Sequence, residues 1–246
     1  MEANERLIIA ADFDPRKSGG IVGVQNEVLK LAVSLKGLGV IIKVNSVLRA
    51  LGYDLIKDLH NLDLRVFADL KLIDIPNTMG TDGAMLAEVK PEIVTVMCCA
   101  GIDGMRAVQE TIGKATEVLG VSVLTSLDEE ECQAIFTCST KAGVLRFARM
   151  AQLAGLGGLI LSSQEAEMLR AKQEIILSLN TPGIRPDWSL VPGDDQKRVM
   201  TPGKAIKAGA RRIVIGRPVT QSANPREAVE KTLKEIEEAV KESSAS

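Results

Sequence analysis

The chain has 246 residues, a formal net charge of -2 and 46% hydrophobic residues, which is enough apolar material for a substantial core. The near-zero net charge gives no electrostatic attraction to nucleic acid or to an anionic membrane, and the aromatic content of 2% offers no stacking platform for single-stranded bases. No apolar run approaches the roughly 18 residues that a membrane span needs, and the start MEANERLIIA is not typical of a signal peptide.

Apolar runs rich in β-branched residues alternate with helical patterns along the chain. The eight predicted strands begin at Leu7, Val40, Arg65, Glu92, Val121, Gly158, Glu174 and Arg211. The predicted helices cover residues 25–38, 48–59, 78–89, 104–119, 141–153, 164–172, 204–208 and 226–240. Continuous apolar strands separated by helices indicate a parallel sheet. Eight such units in this length predict an α/β fold, a single (β/α)8 TIM barrel.

The barrel is predicted to be one domain spanning residues 1–246, with a frayed tail from about residue 241 onward. The longest irregular stretch runs from about residue 180 to residue 203 and holds four prolines, at positions 182, 186, 192 and 202. Loops of this length are typically functional lids or disordered segments.

The cysteines show no metal-binding or catalytic pattern. They are Cys98, Cys99, Cys132 and Cys138, without a CxxC spacing, and the chain has one histidine, His60. A zinc site would need other ligands. We interpret the cysteines as reduced thiols of a cytoplasmic protein.

Unusual polar residues collect where the predicted strands end. Asp12 ends the first strand, Lys43 nearly ends the second, Asp69 and Lys71 end the third, Asp74 follows in the next loop, and Thr125 and Ser126 end the fifth. In barrels of this kind the carboxyl ends of the strands carry the active site. The sequence therefore predicts a polar cluster at that end.

The third strand gives the sharpest form of this prediction. Side chains alternate between the two faces of a strand, so Phe67, Asp69 and Lys71 should point into the barrel mouth while the intervening apolar residues pack against helices. Pro76 cannot continue a central strand, so the strand must end before it.

Two interpretations of these charges are open. One is a salt-bridge network that plugs the barrel, and the other is a catalytic centre. Two carboxylates ~4 Å apart repel by about 4 kcal/mol at an effective dielectric of 20. An alternating series of lysines and aspartates removes most of that repulsion and fixes each ammonium in place.

A second cluster, VIGRPVTQS, follows the eighth strand. Loops after strands seven and eight often bind phosphate in this fold. The amide of Gly216 can approach an anion closely, and Arg217 offers bidentate hydrogen bonds. Arg185 and Gln196 in the long loop could reach the same phosphate as a closing lid. An ordinary Gly-Arg-Pro turn is the alternative.

Four strings, DLKLIDIPNT, TPGIRP, VMTP and IGRPVTQS, together resemble the orotidine 5'-phosphate decarboxylase family of the bacterial type, over essentially the whole chain. The D-x-K-x-x-D-I-P-N-T string is highly specific. Its first part alone also occurs in 3-keto-gulonate 6-phosphate decarboxylase and hexulose phosphate synthase. The resemblance implies a lyase that converts orotidine 5'-monophosphate (OMP) to uridine 5'-monophosphate (UMP), the last step of de novo pyrimidine nucleotide synthesis, without cofactor or metal.

The resemblance also implies a role for each catalytic residue. Lys71 would protonate C6 of the pyrimidine as carbon dioxide departs, and Asp69 would face the substrate carboxylate. Lys43 would orient Asp69 and reach the ribose, while Asp12 would bind a ribose hydroxyl. Asp74 would belong to the site of the other subunit of a homodimer.

The remaining implied contacts bind the nucleotide. Thr78 would also cross the subunit boundary, and Ile75 and Pro76 of the same string would line the substrate. Thr125 and Ser126 would contact the pyrimidine. The phosphate would be bound by Arg185, Gln196, Gly216 and Arg217.

One string departs from the family pattern. Where the family often shows Val-His after the fourth strand, this chain reads VTVMCCAG, with Met97 or Cys98 at the histidine position. A cysteine nucleophile would need a histidine beside it, and His60 falls inside the second predicted helix.

Two other functions stay open from the sequence. One is a metal-dependent keto-sugar-phosphate decarboxylase of the same barrel lineage, in which the carboxylates would hold Mg²⁺. The other is a catalytically silent nucleotide-binding barrel.

Overall fold

A computed structural model of the chain describes residues 1–189 and 200–244. Eight parallel strands form a closed barrel in chain order, which confirms the predicted TIM barrel. The strands are β1 (Leu7–Ala10), β2 (Ile41–Val44), β3 (Arg65–Leu72), β4 (Ile93–Met97), β5 (Glu117–Val121), β6 (Gly158–Ile160), β7 (Ser178–Thr181) and β8 (Arg212–Ile215).

Helices follow the strands. The described ranges contain α1 (Ala3–Arg6), α2 (Pro15–Ser18), α3 (Ile21–Leu35), α4 (Ser46–Leu51), α5 (Asp54–Asn61), α6 (Pro76–Val89), α7 (Gly101–Thr111), α8 (Glu129–Phe136), α9 (Thr140–Leu153), α10 (Ser163–Arg170), α11 (Pro202–Lys207), α12 (Arg217–Thr220) and α13 (Pro225–Ser244). Within residues 1–189 and 200–244, no helix has both the length and the apolar character of a membrane-crossing segment.

The chain packs as two compact units. The first comprises Met1–Asp69, Gly183–Lys207 and Arg212–Ser246, and the second comprises Leu70–Pro182 and Ala208–Arg211. The assignment of the whole chain to one domain stays a prediction.

In the first unit, strand pairing sets the register of the site residues. β1 pairs with β2 on one side and with β8 on the other, and β2 pairs with β3. The strand residues are almost fully excluded from solvent, as at Ile9, Ile42 and Phe67. Burial on this scale makes the hydrophobic effect the main force that fixes these four strands.

In the second unit, glycines let two helices approach closely. A Cβ on Gly83 of α6 would lie 2.2 Å from Oγ1 of Thr111 in α7, and a Cβ on Gly104 of α7 would lie 2.7 Å from the sulfur of Met79. Side chains at these two positions would force the helices apart. Without such side chains, α6 packs directly on α7 beside the β4–β5 pair.

Two predicted strands were wrong in position. The fifth was predicted from Val121, with a helix over residues 104–119, but α7 ends at Thr111 and β5 spans Glu117–Val121. The hydroxyl of Thr116 donates to the Pro91 carbonyl at 2.7 Å, and the Glu117 amide donates to the Glu92 carbonyl at 2.9 Å. These bonds start the β4–β5 ladder earlier than the apolar pattern suggests.

The seventh strand was predicted from Glu174 but begins at Ser178. The Gln152 side chain of α9 explains the shift. It donates to the Glu174 carbonyl at 2.7 Å and accepts from the Ile176 amide at 2.9 Å. Backbone groups satisfied by a side chain in this way are not available for a strand ladder.

Two helix predictions also needed correction. The predicted helix at 48–59 is two helices, separated at Gly52, whose positive φ of 79° is readily adopted by glycine. Helix α8 was not predicted, and a capping box between Asp128 and Glu131 starts it. Helix α13 ends at Ser244, and the fraying expected from about residue 241 stays a prediction.

Candidate active site

In the first unit, the ammonium of Lys43 bridges two carboxylates. Its Nζ lies 2.9 Å and 3.1 Å from the two carboxylate oxygens of Asp12 and 3.3 Å from Oδ2 of Asp69. Bidentate contact with one carboxylate and a close approach to a second fix the position of the ammonium.

The two carboxylates of this bridge differ in exposure. The Asp12 side chain is 55% exposed and the Asp69 side chain is 10% exposed. Burial on its own lowers the pKa of Lys43, but the charges of Asp12 and then Asp69 more than offset it, so the pKa lies above its ordinary value. Lys43 is therefore charged at neutral pH.

Strand register brings the bridge together. Ala10, the last residue of β1, pairs with Lys43 of β2. The Ala11 amide then donates to the Lys43 carbonyl at 2.9 Å, which extends the ladder past the end of β1. Asp12 follows directly and lies within reach of the ammonium. The predicted cluster of Asp12, Lys43 and Asp69 is thus present in the first unit.

The phosphate candidates after β8 lie beside the same strand ends. Ile9 of β1 pairs with Ile215, the last residue of β8. Gly216 and Arg217 follow, and a Cβ on Gly216 would lie 3.6 Å from the Cβ of Ala10. That distance is ordinary van der Waals contact, so sterics alone would tolerate a side chain here. Arg217 begins α12.

Arg185 is buried, whereas a residue of an open lid would be exposed to solvent. It is 6% exposed, its guanidinium donates to the Ile184 carbonyl at 3.1 Å, and its amide donates to the Met200 carbonyl at 3.0 Å. The bridge between Ile184 and Met200 ties this segment to the residues before α11. Gln196, its predicted partner on the phosphate, lies outside the described residues.

In the second unit, Lys71 has an unusual backbone conformation for a strand residue. Its φ is 51°, in the left-handed region, and its amide donates to Oγ1 of Thr95 in β4 at 2.9 Å. Strict side-chain alternation does not hold through a left-handed residue, so the predicted shared face of Asp69 and Lys71 rests on a wrong assumption at Lys71. The sequence analysis did not identify Thr95. The available signal was that Thr95 is the one polar residue in the apolar run IVTVM.

The residues after β3 are exposed. Asp74 accepts a hydrogen bond from the Ile75 amide at 2.6 Å, and the Ile75 side chain is 66% exposed, a high value for a large apolar residue. β3 ends before Pro76 as predicted, but α6 begins at Pro76 rather than at Thr78, which lies half-buried in its first turn. Burial, and then the Asp74 carboxylate, raise the pKa of Asp82.

Thr125 and Ser126 do not end the fifth strand. β5 ends at Val121, and the two residues lie exposed in a turn closed by a 3.0 Å bond from the Leu127 amide to the Leu124 carbonyl. Their predicted position was wrong because the strand was predicted several residues too late. Both still follow the carboxyl end of β5.

Met97 or Cys98 stands where the family pattern often has a histidine. Cys98 is fully buried, and a Cβ on Gly120 of β5 would lie 2.6 Å from its sulfur, so the thiol fills the space over that glycine. Burial, and then the neighbouring Cys99, raise the pKa of the Cys98 thiol, which disfavours the nucleophilic thiolate. All four cysteines are free.

Residues 1–189 and 200–244 contain no group of three or more histidine, cysteine, aspartate or glutamate side chains arranged to hold a metal ion.

Comparison with known proteins gives consistent results. The family model described as orotidine 5'-phosphate decarboxylase / HUMPS matches residues 5–232. Orotidine 5'-phosphate decarboxylase of Syntrophomonas wolfei is 36% identical, over 97% of this chain and 100% of the relative. The enzyme of that name from Campylobacter fetus is 38% identical, over 86% and 94%.

Solved structures agree with these relatives. The crystal structure of orotidine 5'-phosphate decarboxylase from Lactobacillus acidophilus matches with a TM-score of 0.76 at 27% identity, covering 94% of this chain and 99% of that one. The corresponding structure from Pyrococcus horikoshii has a TM-score of 0.71 at 25% identity.

Removing the Lys43 ammonium should destabilise the fold in a pH-dependent way. Lys43→Met keeps an apolar stem but leaves the buried Asp69 without the cation at 3.3 Å, which should cost roughly 3 kcal/mol at pH 8. Loss of that cation disfavours the charged form of the buried carboxylate. The cost should therefore be smaller at lower pH, where protonation removes the buried charge.

Urea unfolding of the wild type and Lys43→Met at pH 8 and pH 5 measures this effect. Asp12→Asn is the control, since Lys43 keeps Asp69 as a partner and Asp12 is largely exposed, and it should cost under about 1 kcal/mol. A loss in Lys43→Met that is the same at both pH values would contradict the expectation.

Proposed function

The chain belongs to the orotidine 5'-phosphate decarboxylase / HUMPS family, and from this premise we propose how its own residues carry out the reaction. The reaction is the decarboxylation of OMP to UMP in pyrimidine biosynthesis, so the protein is a carboxy-lyase. The single observation that carries the residue roles is the fixed Lys43 ammonium between Asp12 and Asp69 at the carboxyl ends of β1–β3.

The chemical problem is the carbanion. Loss of carbon dioxide leaves an electron pair on C6 of the pyrimidine, and the uracil ring is a poor electron sink without a cofactor. A fixed ammonium beside C6 stabilises that charge far more in a dry site than in water. We assign this ammonium to Lys71, which then delivers its proton to C6. The proposed reaction uses no cofactor and no metal.

Asp69 faces the substrate carboxylate in this proposal. Its buried charge is maintained by Lys43, so a second carboxylate placed beside it is repelled until carbon dioxide leaves. Interactions that are less unfavourable in the transition state than in the ground state accelerate the chemical step. Lys43 orients Asp69 and reaches the ribose, and the exposed Asp12 has carboxylate oxygens available to a ribose hydroxyl.

The phosphate is assigned to Gly216 and Arg217, with Arg185 and Gln196 completing the contact. The support is the position of Gly216 beside Ala10, two residues before Asp12. A nucleotide could therefore have its ribose at Asp12 and its phosphate at the neighbouring end of β8. Phosphate binding remote from C6 can supply free energy for the strained arrangement at the base.

The base contacts are assigned to Thr125 and Ser126, and Ile75 and Pro76 line the substrate. The two hydroxyls lie exposed after the end of β5, so they are available to the polar edge of a pyrimidine. Hydrogen bonds of this kind discriminate a substrate strongly, because a wrong base leaves polar groups unpaired.

A homodimer completes the proposal, with Asp74 and Thr78 entering the partner's site. The support is the run of exposed residues after β3: Ile73 is 57% exposed and Ile75 is 66% exposed. Apolar side chains exposed beside a charged residue are typical of an interaction surface.

We also propose a cytoplasmic location, supported by four free cysteines, since such thiols persist in reducing compartments.

Turnover of OMP tests the reaction and the role of Lys71 together. The wild type should consume OMP, and the loss of OMP absorbance measures the rate. The rate should be the same in the presence of a chelator. Lys71→Ala should lower kcat by at least roughly 10³-fold because the ammonium acts in the transition state. Its affinity for UMP should stay within about threefold, since binding and chemistry are separable.

Three results would count against these assignments. An inactive, folded wild type would refute the reaction for this chain. Sensitivity to the chelator would favour the metal-dependent sugar-phosphate chemistry of the same barrel lineage. Normal turnover by Lys71→Ala would transfer the proton donation to another residue.

Mixed dimers test the shared site. Lys71→Ala and Asp74→Ala chains, each inactive alone, should regain activity when mixed, because one of the two sites in a mixed dimer then has both native residues. Random mixing predicts recovery of about a quarter of wild-type activity. A mixture of two Lys71→Ala preparations is the matched control and should stay inactive. No recovery in dimers verified as mixed would place Asp74 in its own chain's site.

A further inference from the structure

The left-handed conformation of Lys71 has no ordinary structural explanation. Among the described residues, the other non-glycine residues with positive φ are Asp63, Lys90 and Thr137. Lys90 and Thr137 are the C-caps of α6 and α8, and Asp63 follows the end of α5. Left-handed residues commonly end helices. Lys71 instead lies inside a β-strand, where an extended backbone is the norm.

This conformation must be held in place by its surroundings. A non-glycine residue in the left-handed region costs on the order of 1–3 kcal/mol, and such strain persists only where contacts enforce it. The contact on the Lys71 backbone is the 2.9 Å hydrogen bond from its amide to Oγ1 of Thr95. A side-chain hydroxyl accepts here from a strand amide, a role that a backbone carbonyl has in a regular ladder.

Thr95 is well suited to hold that bond. It is fully buried and lies at the centre of β4, where it pairs with Leu119 of β5. A β-branched side chain has few rotamers, so its hydroxyl oxygen has a defined position. A buried amide that loses its acceptor costs about 1–3 kcal/mol. Loss of this bond would free the peptide group that precedes the Cα of Lys71, and with it the φ angle at Lys71.

The backbone conformation in turn sets the direction of the lysine side chain. The φ and ψ angles of a residue orient its Cα–Cβ bond, so a left-handed Lys71 leaves the strand in a direction that regular alternation would not give. A lysine side chain is flexible, and its starting direction limits which positions the ammonium can reach without strained rotamers.

We propose that Thr95 is a positioning residue for Lys71: its hydroxyl holds the Lys71 backbone in the left-handed conformation that directs the ammonium to the reacting carbon. The proposal rests on the proposed role of Lys71 in decarboxylation. Thr95 itself does not touch the substrate in this proposal, so its effect passes through the geometry of the ammonium. Misplacement by about 1 Å can cost roughly 10²-fold in rate.

Two variants of Thr95 separate the hydroxyl from the side-chain volume. Thr95→Val keeps the shape and removes the acceptor, so kcat should fall about 10- to 100-fold while KM for OMP and the affinity for UMP change by less than about threefold. Thr95→Ser keeps the oxygen and should retain kcat within about threefold of the wild type.

Thr116→Val is the matched control. It removes another buried hydroxyl of the second unit, which donates to the Pro91 carbonyl at 2.7 Å just before β5 begins. It should lower stability in urea but leave kcat unchanged. A fall of kcat in Thr116→Val equal to that in Thr95→Val would show a general effect of lost stability and overturn the proposal.

Structural readouts keep the test independent of turnover. Crystal structures of the wild type and Thr95→Val should show positive φ at Lys71 in the first and relaxation towards extended backbone in the second. Hydrogen exchange at the Lys71 amide should be faster in Thr95→Val. If Thr95→Val does not fold, Thr95→Cys, whose sulfur is a weak acceptor, should give the same split between kcat and KM.

The outcomes distinguish a failure of the proposed function from a failure of the role proposed for Thr95. An inactive wild type, or a fully active Lys71→Ala, refutes the proposed function. An active wild type that needs Lys71, combined with a Thr95→Val of near-normal kcat, refutes only the role of Thr95. Unchanged positive φ at Lys71 in Thr95→Val, or Thr95→Ser as impaired as Thr95→Val, also overturns it.

Discussion

The bridge from Lys43 to Asp12 and Asp69 is the interaction on which the first unit's strand ends depend. A buried carboxylate such as Asp69 is costly to keep charged unless a cation lies beside it, and Lys43 lies at 3.3 Å. The cation is itself buried, and the two carboxylates offset the lowering of its pKa by that burial. Each charge therefore maintains the others, and the register of β1, β2 and β3 must be kept for the distances to hold. The packing of these strands thus holds the three charged groups in one geometry.

Much of this could be predicted from sequence because the signals are local. β1, β2 and β3 coincide with compact apolar runs, so these three strands were placed correctly. β5 and β7 were misplaced because their apolar runs are longer than the paired segments. Hydrogen bonds of Thr116 and of the Gln152 side chain decide which residues of each run pair with the neighbouring strand. A pattern of apolar residues cannot predict either contact.

Other features of the site could not be predicted because they depend on partners far away in the sequence. Arg185 is buried, and its amide donates to the carbonyl of Met200. Lys71 has a left-handed backbone, although the sequence around it alternates like that of a regular strand. The acceptor for its amide is Thr95, in the next strand. The family resemblance supplied the substrate, which no spacing of charges alone could have named.

The electrostatics also separate the roles of the two lysines. Donation of a proton leaves a neutral amine behind, and a neutral Lys43 would leave Asp12 and Asp69 without the cation between them. The raised pKa of Lys43 expresses that cost, so Lys43 is a poor acid and a good fixed charge. A donor must instead be an ammonium whose loss of charge the surrounding carboxylates can tolerate. The cost of neutralising Lys43 therefore supports the proposed assignment of proton donation to Lys71 of β3, which otherwise rests on the family motif.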